Sequence, residues 1–154
     1  MRNRSLALAA LLLTGAACEA PTAPGDGDNL STARALWRAS GSESYSYAVN
    51  RSCFCVLGGR LMTVTVRNGS VSSAEYFDSG SAVDAALLTY VPTVADLFDL
   101  VQDALNRRPV YFSATYDPVY GYPTRIEVDY SADLADDELA LSARDLTLFG
   151  APAR

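Results

Sequence analysis

Residues 61–77 read LMTVTVRNGSVSSAEYF, and this stretch decides the fold class. Met62, Val64 and Val66 alternate with Thr63 and Thr65, the period of a strand with one buried face. Asn68-Gly69 then separates this run from a second β-rich one. The tight turn that matches strand twist needs positive φ at both central residues, and Asn-Gly supplies it, so the stretch predicts an antiparallel hairpin.

The same arithmetic extends in both directions. Upstream, Tyr45, Tyr47 and Val49 alternate with Ser46 and Ala48, a further strand. Before it, Ser31 can cap a short helix that runs to Ala39 and ends at Gly41, with Leu36 and Trp37 as its main apolar contribution. Downstream, Thr93 with Asp96 three residues on forms a capping-box variant. Val94, Leu97, Phe98, Val101 and Leu105 then share one helical face, while Asp96, Asp99 and Asp103 stay mainly outside it. Arg107 and Arg108 suit the negative end of that helix before Pro109 stops it. Three β segments follow, around Phe112/Ala114/Tyr116, around Ile126/Val128/Tyr130, and over 139–149. The last changes apolar phase between Leu141 and Leu146, which predicts a bulge. The order is helix then three strands, twice. The expected fold class is α+β, an antiparallel sheet of about six strands with two helices packed on one face.

With 154 residues, 49% of them apolar, the chain suits a single domain, placed at 30–150. Twelve arginines and no lysines stand against 18 acids, net −6, so a nucleic-acid partner is not expected. The absence of histidine and lysine also removes His-based triads, His-rich zinc sites, Schiff-base lysines and the phosphate-loop lysine.

Residues 1–17 carry the marks of an export signal: Arg2 and Arg4, an apolar run over 6–13, then Thr14-Gly15-Ala16-Ala17. An eight-residue run is too short for a bilayer, which needs about 20 residues. Small residues directly before Cys18 resemble a bacterial lipobox, which implies lipid attachment at Cys18 and a mature chain anchored to a membrane. Cleavage there removes two arginines and leaves 10 against 18 acids, net −8. Ordinary cleavage after Ala17, giving a secreted or periplasmic soluble protein, is the alternative. Residues 18–29, rich in Pro, Gly and Asp, read as a flexible tether.

Cys53-Phe54-Cys55 is the sharpest local chemistry. Along an extended strand such cysteines point the same way but lie about 6.5 Å apart at Cα, so a mutual disulfide requires a turn at Phe54. Two reduced thiols, or a soft metal such as Cu(I), remain open readings. Residues 116–123, YDPVYGYP, read as a hairpin connection, with Asp117-Pro118 starting the turn and Gly121 permitting positive φ. Tyr116, Asp117, Tyr120 and Tyr122 are its candidate partner-binding side chains. Asp133, Asp136, Asp137 and Glu138 form an acidic patch without calcium-loop spacing, which reads as a solvated surface. The nine tyrosines suit sheet packing, and a tyrosine-bearing sheet face opposite the helices would suit a protein partner.

Taken together, the C-F-C element after a Tyr-rich strand, the TVADLF helix and the YDPVYGYP hairpin resemble a family of exported bacterial domains of unknown function. The resemblance covers about residues 37–148 and implies export, often with a lipid anchor, and a fold type. It implies no catalytic residues. The expectation is therefore a lipid-anchored, non-enzymatic module outside the cytoplasm that binds a protein or another envelope component, with no catalytic residue, metal or cofactor assigned. A thiol redox or copper-handling protein using Cys53 and Cys55 is the alternative, and a hydrolase the weaker one.

Overall fold

The computed structural model describes residues 26–40, 42–133 and 138–150. Helix α1 is Asp26–Ser40, strands β1 to β3 are Tyr45–Ser52, Leu61–Arg67 and Ser70–Tyr76, and a 3-10 turn covers Ala85–Tyr90. Helix α2 is Val94–Arg107, and strands β4 to β6 are Tyr111–Tyr116, Pro123–Asp129 and Leu139–Leu148. The six strands form one sheet in the order β3-β2-β1-β6-β5-β4, antiparallel at every junction. The second three-strand meander therefore lies beside the first, running the same way across the sheet.

The expected Asn-Gly turn is present, with Asn68 at φ 49° and Gly69 at φ 76°. The expected bulge lies in β6. Ser46 faces Thr147 and Ala48 faces Arg144, leaving one extra residue on β6, and Asp145 there adopts φ 58°. In α2, Thr93 and Asp96 close the capping box from both sides, and Arg108 ends the helix in a left-handed conformation.

Strand register puts Tyr45, Tyr47 and Val49 opposite Val66, Val64 and Met62, with Ala143, Leu141, Ile126 and Val128 continuing the same face. All are 3% exposed or less, and α2 covers them with Val94, Leu97, Phe98, Val101 and Ala104. Ala104 thus occupies the buried position expected for Leu105, which is only partly buried. The opposite face carries Thr63, Arg67, Ser142, Arg144 and Arg125, all exposed. One covered and one solvated face is the usual economy of an antiparallel sheet.

That arrangement corrects the expected tyrosine surface. Tyr45 and Tyr47 face the helices: the Tyr45 hydroxyl accepts from the Val94 amide at 2.9 Å, and the Tyr47 hydroxyl donates to the Pro92 carbonyl. Two phenols thereby satisfy backbone groups at the start of α2. Burial pushes the Tyr45 phenol up to about 12, and pushes Tyr47 well above its ordinary value.

Helix α1 also differs from its expected bounds. It begins at Asp26, so residues 26–29 belong to the helix instead of the tether, and Ser31 is not its cap. Tertiary packing explains the extension. Leu30 and Ala33, each 3% exposed, join the core, and Trp37 meets Tyr45 edge-on at 5.2 Å between ring centroids. The inward stripe is therefore 30, 33 and the partly buried 37, whereas Leu36 is 38% exposed. Arg34 ties α1 to α2, donating to the Phe98 carbonyl at 3.0 Å and pairing with Asp99 at 3.1 Å.

Candidate functional site

Strand β1 ends where residues 53–59 bend back over the sheet end. Cys53 and Cys55 are joined in a disulfide with Cα atoms 5.3 Å apart. The bend expected at Phe54 is held by backbone bonds, Gly58 N–H to the Cys55 carbonyl at 3.0 Å and Gly59 N–H to the Arg51 carbonyl at 2.6 Å. A Cβ on Gly58 would collide with the Cys53 carbonyl oxygen, so only glycine lets the chain close this tightly. Phe54 stands 92% exposed at the apex, followed by Val56 at 45%. With the sulfurs joined, neither is a thiolate ligand. Among the described residues, no group of three or more Cys, Asp or Glu side chains is placed to hold a metal ion.

Among the described residues, two of the cavities that border this loop are large. One, of about 630 Å³, is bounded by Phe54, Gly58, Tyr111, Glu127, Asp129 and Glu138. The other, of about 590 Å³, lies between the loop and α2, against Arg51, Phe54, Leu97, Leu100, Leu139 and Leu141. Arg51 is the next inward position after Tyr45, Tyr47 and Val49, opposite Leu141 in register. Its Nε atom is buried without a hydrogen-bond partner, and no carboxylate of the described residues pairs with it. Sequence reasoning passed over this side chain, although the period of two that located the tyrosines also pointed to it.

The acids beside the second cavity are mostly engaged already. The Asp96 carboxylate accepts from both the amide and the hydroxyl of Thr93, at 2.8 and 2.7 Å. Asp99 pairs with Arg34 at 3.1 Å and Asp103 with Arg107 at 3.4 Å. Around the first cavity, Glu127 accepts from Arg125 at 2.5 Å, and that bond holds its carboxyl below the usual carboxylate range. Asp129 accepts from the Ser131 amide at 3.0 Å.

The tyrosine hairpin lies at the opposite end of the sheet, because Tyr116 pairs with Pro123 while Tyr111 pairs with Asp129. The Asp117 carboxylate accepts from the amides of Val119 and Tyr120 at 2.9 and 2.7 Å, which fixes the turn. Tyr122 is 5% exposed, and Tyr116 and Tyr120 are partly buried against the core. The expectation of exposed binding tyrosines is therefore corrected at Tyr122. Gly121, at φ 77°, explains why: a Cβ there would strike the Ala33 carbonyl oxygen and lie 2.8 Å from the Leu36 Cβ. The hairpin is the seat of α1. Burial raises the Tyr116 phenol to about 12, Asp26 adding to the rise and Arg34 opposing it.

Cys18, Asp136 and Asp137 lie outside the described residues. Asp133 is exposed, as is Glu138. Among the described residues no helix is long and apolar enough to cross a membrane.

A one-sided α+β sheet, two helices on its covered face and a disulfide-closed loop at one end define the class of domain. The chain belongs to a family of unknown function, DUF6174, whose model matches residues 29–148, from within α1 to the end of β6. No curated protein and no solved structure matches it.

Proposed function

We propose that the protein is an exported, lipid-anchored, non-enzymatic module that docks an envelope protein through its disulfide-closed loop. The observation that carries the reading is Phe54, 92% exposed on a loop braced by a disulfide and two backbone bonds. A rigid, exposed aromatic loses little entropy on docking, and aromatics dominate interface energetics. The disulfide accords with an oxidising compartment, and the leader and Cys18 with export and anchoring. The docking surface thus moves from the hairpin tyrosines to the opposite end of the sheet.

Capture from envelope extract, followed by reconstitution with the purified partner, tests the docking. Phe54→Ala should abolish the reconstituted complex, while Tyr120→Ala leaves it intact. A complex indifferent to Phe54→Ala overturns the assignment. The anchor has its own test. Cys18→Ala should move the protein from the membrane fraction to the soluble one, and an intact mass showing an unmodified Cys18 would overturn it.

A second reading is favoured by the exposure of Cys55 on this loop, which leaves the disulfide open to thiol exchange. Thiol titration in glutathione buffers decides it: a pair that never reduces ends both the redox reading and copper handling. A hydrolase reading draws less support, since the Glu127 carboxyl is held low by Arg125, opposite to what a general acid needs.

A further inference from the structure

The cavity between the disulfide loop and α2 combines an apolar lining with one charged group, Arg51, whose buried Nε lacks a partner among the described residues. Leu97, Leu100, Leu139, Leu141 and Phe54 supply the lining, and Arg51 reaches it from the inner face of β1. Asp96, Asp99 and Asp103 also border the space, each carboxylate already held, by Thr93, Arg34 and Arg107 respectively, and Glu138 borders it from an exposed position open to solvent. Arg51 differs. Its Nε is buried and makes no hydrogen bond, and none of the five ion pairs among the described residues includes it. A guanidinium presents five donors in a planar fork suited to a carboxylate, and an orphaned buried donor is a rare feature of native proteins. The volume, about 590 Å³, falls within the range of small-molecule pockets.

We infer that this cavity binds a small amphipathic carboxylate, its carboxylate on the Arg51 guanidinium and its apolar body along Leu100, Leu139 and Phe54. The inference goes beyond protein docking and does not rest on it. An anionic head is selected because Arg51 carries the buried donor without a partner, whereas Glu138 is exposed and solvated, and an apolar body because leucines and Phe54 line the remainder. Two sources share this chemistry, a free fatty acid and the carboxyl terminus of a peptide ending in an apolar residue.

Titration calorimetry on the full exported chain carrying Cys18→Ala, which needs no detergent, tests it. Octanoate should bind at least tenfold more tightly than octan-1-ol or octylamine. Arg51→Leu should erase the preference over octan-1-ol, and Arg51→Lys should keep part of it. Leu100→Trp, which fills the cavity without touching the charge, should weaken octanoate at least tenfold. If Arg51→Leu fails to fold, Arg51→Lys and Leu100→Trp still carry the comparison. N-acetyl-leucyl-leucine against its carboxamide separates the sources. A preference confined to the dipeptide acid assigns a peptide terminus, and one confined to octanoate assigns a fatty acid. Equal binding of acids and their neutral analogues, or a preference that survives Arg51→Leu, overturns the inference. Failure of Phe54→Ala to affect protein docking would leave it standing.

Discussion

Tyr47 shows how much one side chain can settle in this fold. Its ring fills the core at 1% exposure, and its hydroxyl reaches across to the Pro92 carbonyl, just before α2. Removing that hydroxyl leaves a buried carbonyl without its donor, a loss of about 1–2 kcal/mol. Tyr47→Phe should therefore lower the urea midpoint by that equivalent without changing the slope. An unchanged midpoint would show that water or another donor replaces the phenol. Arg51, four residues on, shares the same face but opens onto a cavity instead of a helix end. The alternation YSYAVNR marks both as inward; only their surroundings separate a core phenol from a binding guanidinium.

At the level of helices and hairpins, α1 and α2 are held by different means. Helix α2 carries its own instructions, a reciprocal Thr93–Asp96 cap and five buried positions at helical spacing. Thr93→Ala should cost about 1 kcal/mol in chemical denaturation. Helix α1 depends on its seat. Gly121 brings the hairpin backbone against Ala33 in a conformation that side chains rarely adopt. Gly121→Ala should thus cost more than Thr93→Ala and shift Trp37 fluorescence to the red as α1 loosens. A smaller loss than for the cap, with Trp37 unmoved, would contradict this account. The 3-10 turn Ala85–Tyr90 illustrates the limit of local reading. Its six residues are too few to display a period, yet Asp84 caps it by accepting from the Ala86 amide at 2.8 Å.

The whole molecule should respond to alkali through its buried phenols. Tyr45 and Tyr116 are raised to about 12, and burial also raises Tyr47 well above the ordinary value of 10.0. Their folded-state values exceed the unfolded ones, so the protonated phenols contribute fully below pH 10 and the contribution is lost as pH rises through the folded values. Tyr45 and Tyr47 each withdraw up to about 1.4 kcal/mol per pH unit between their unfolded and folded values, and half-buried Tyr116 less, because solvent screens it. Stability should accordingly fall steeply between pH 10 and 12. Tyrosine ionisation followed at 295 nm should coincide with loss of near-ultraviolet circular dichroism. Full ionisation of all phenols before any loss of dichroism would refute the buried assignment.

The sequence by itself determined the strands, the Asn-Gly hairpin, the α2 cap, the β6 bulge and the α+β class. These rest on period, turn chemistry and capping, which act between residues close in the chain. It also confined Cys53 and Cys55 to a few readings, because their separation along the chain limits the geometry. Tertiary structure decided the rest. Alternation states which side chains share a sheet face, not which face the helices cover; that was settled by partners 45 and 49 residues away, Pro92 for Tyr47 and Val94 for Tyr45. The start of α1 was decided by burial of Leu30 and Ala33, and the disulfide by a turn whose tightness depends on Gly58. Arg51 became visible as a site only once α2 and the disulfide loop enclosed it, since an orphaned donor is a property of surroundings and not of residue type.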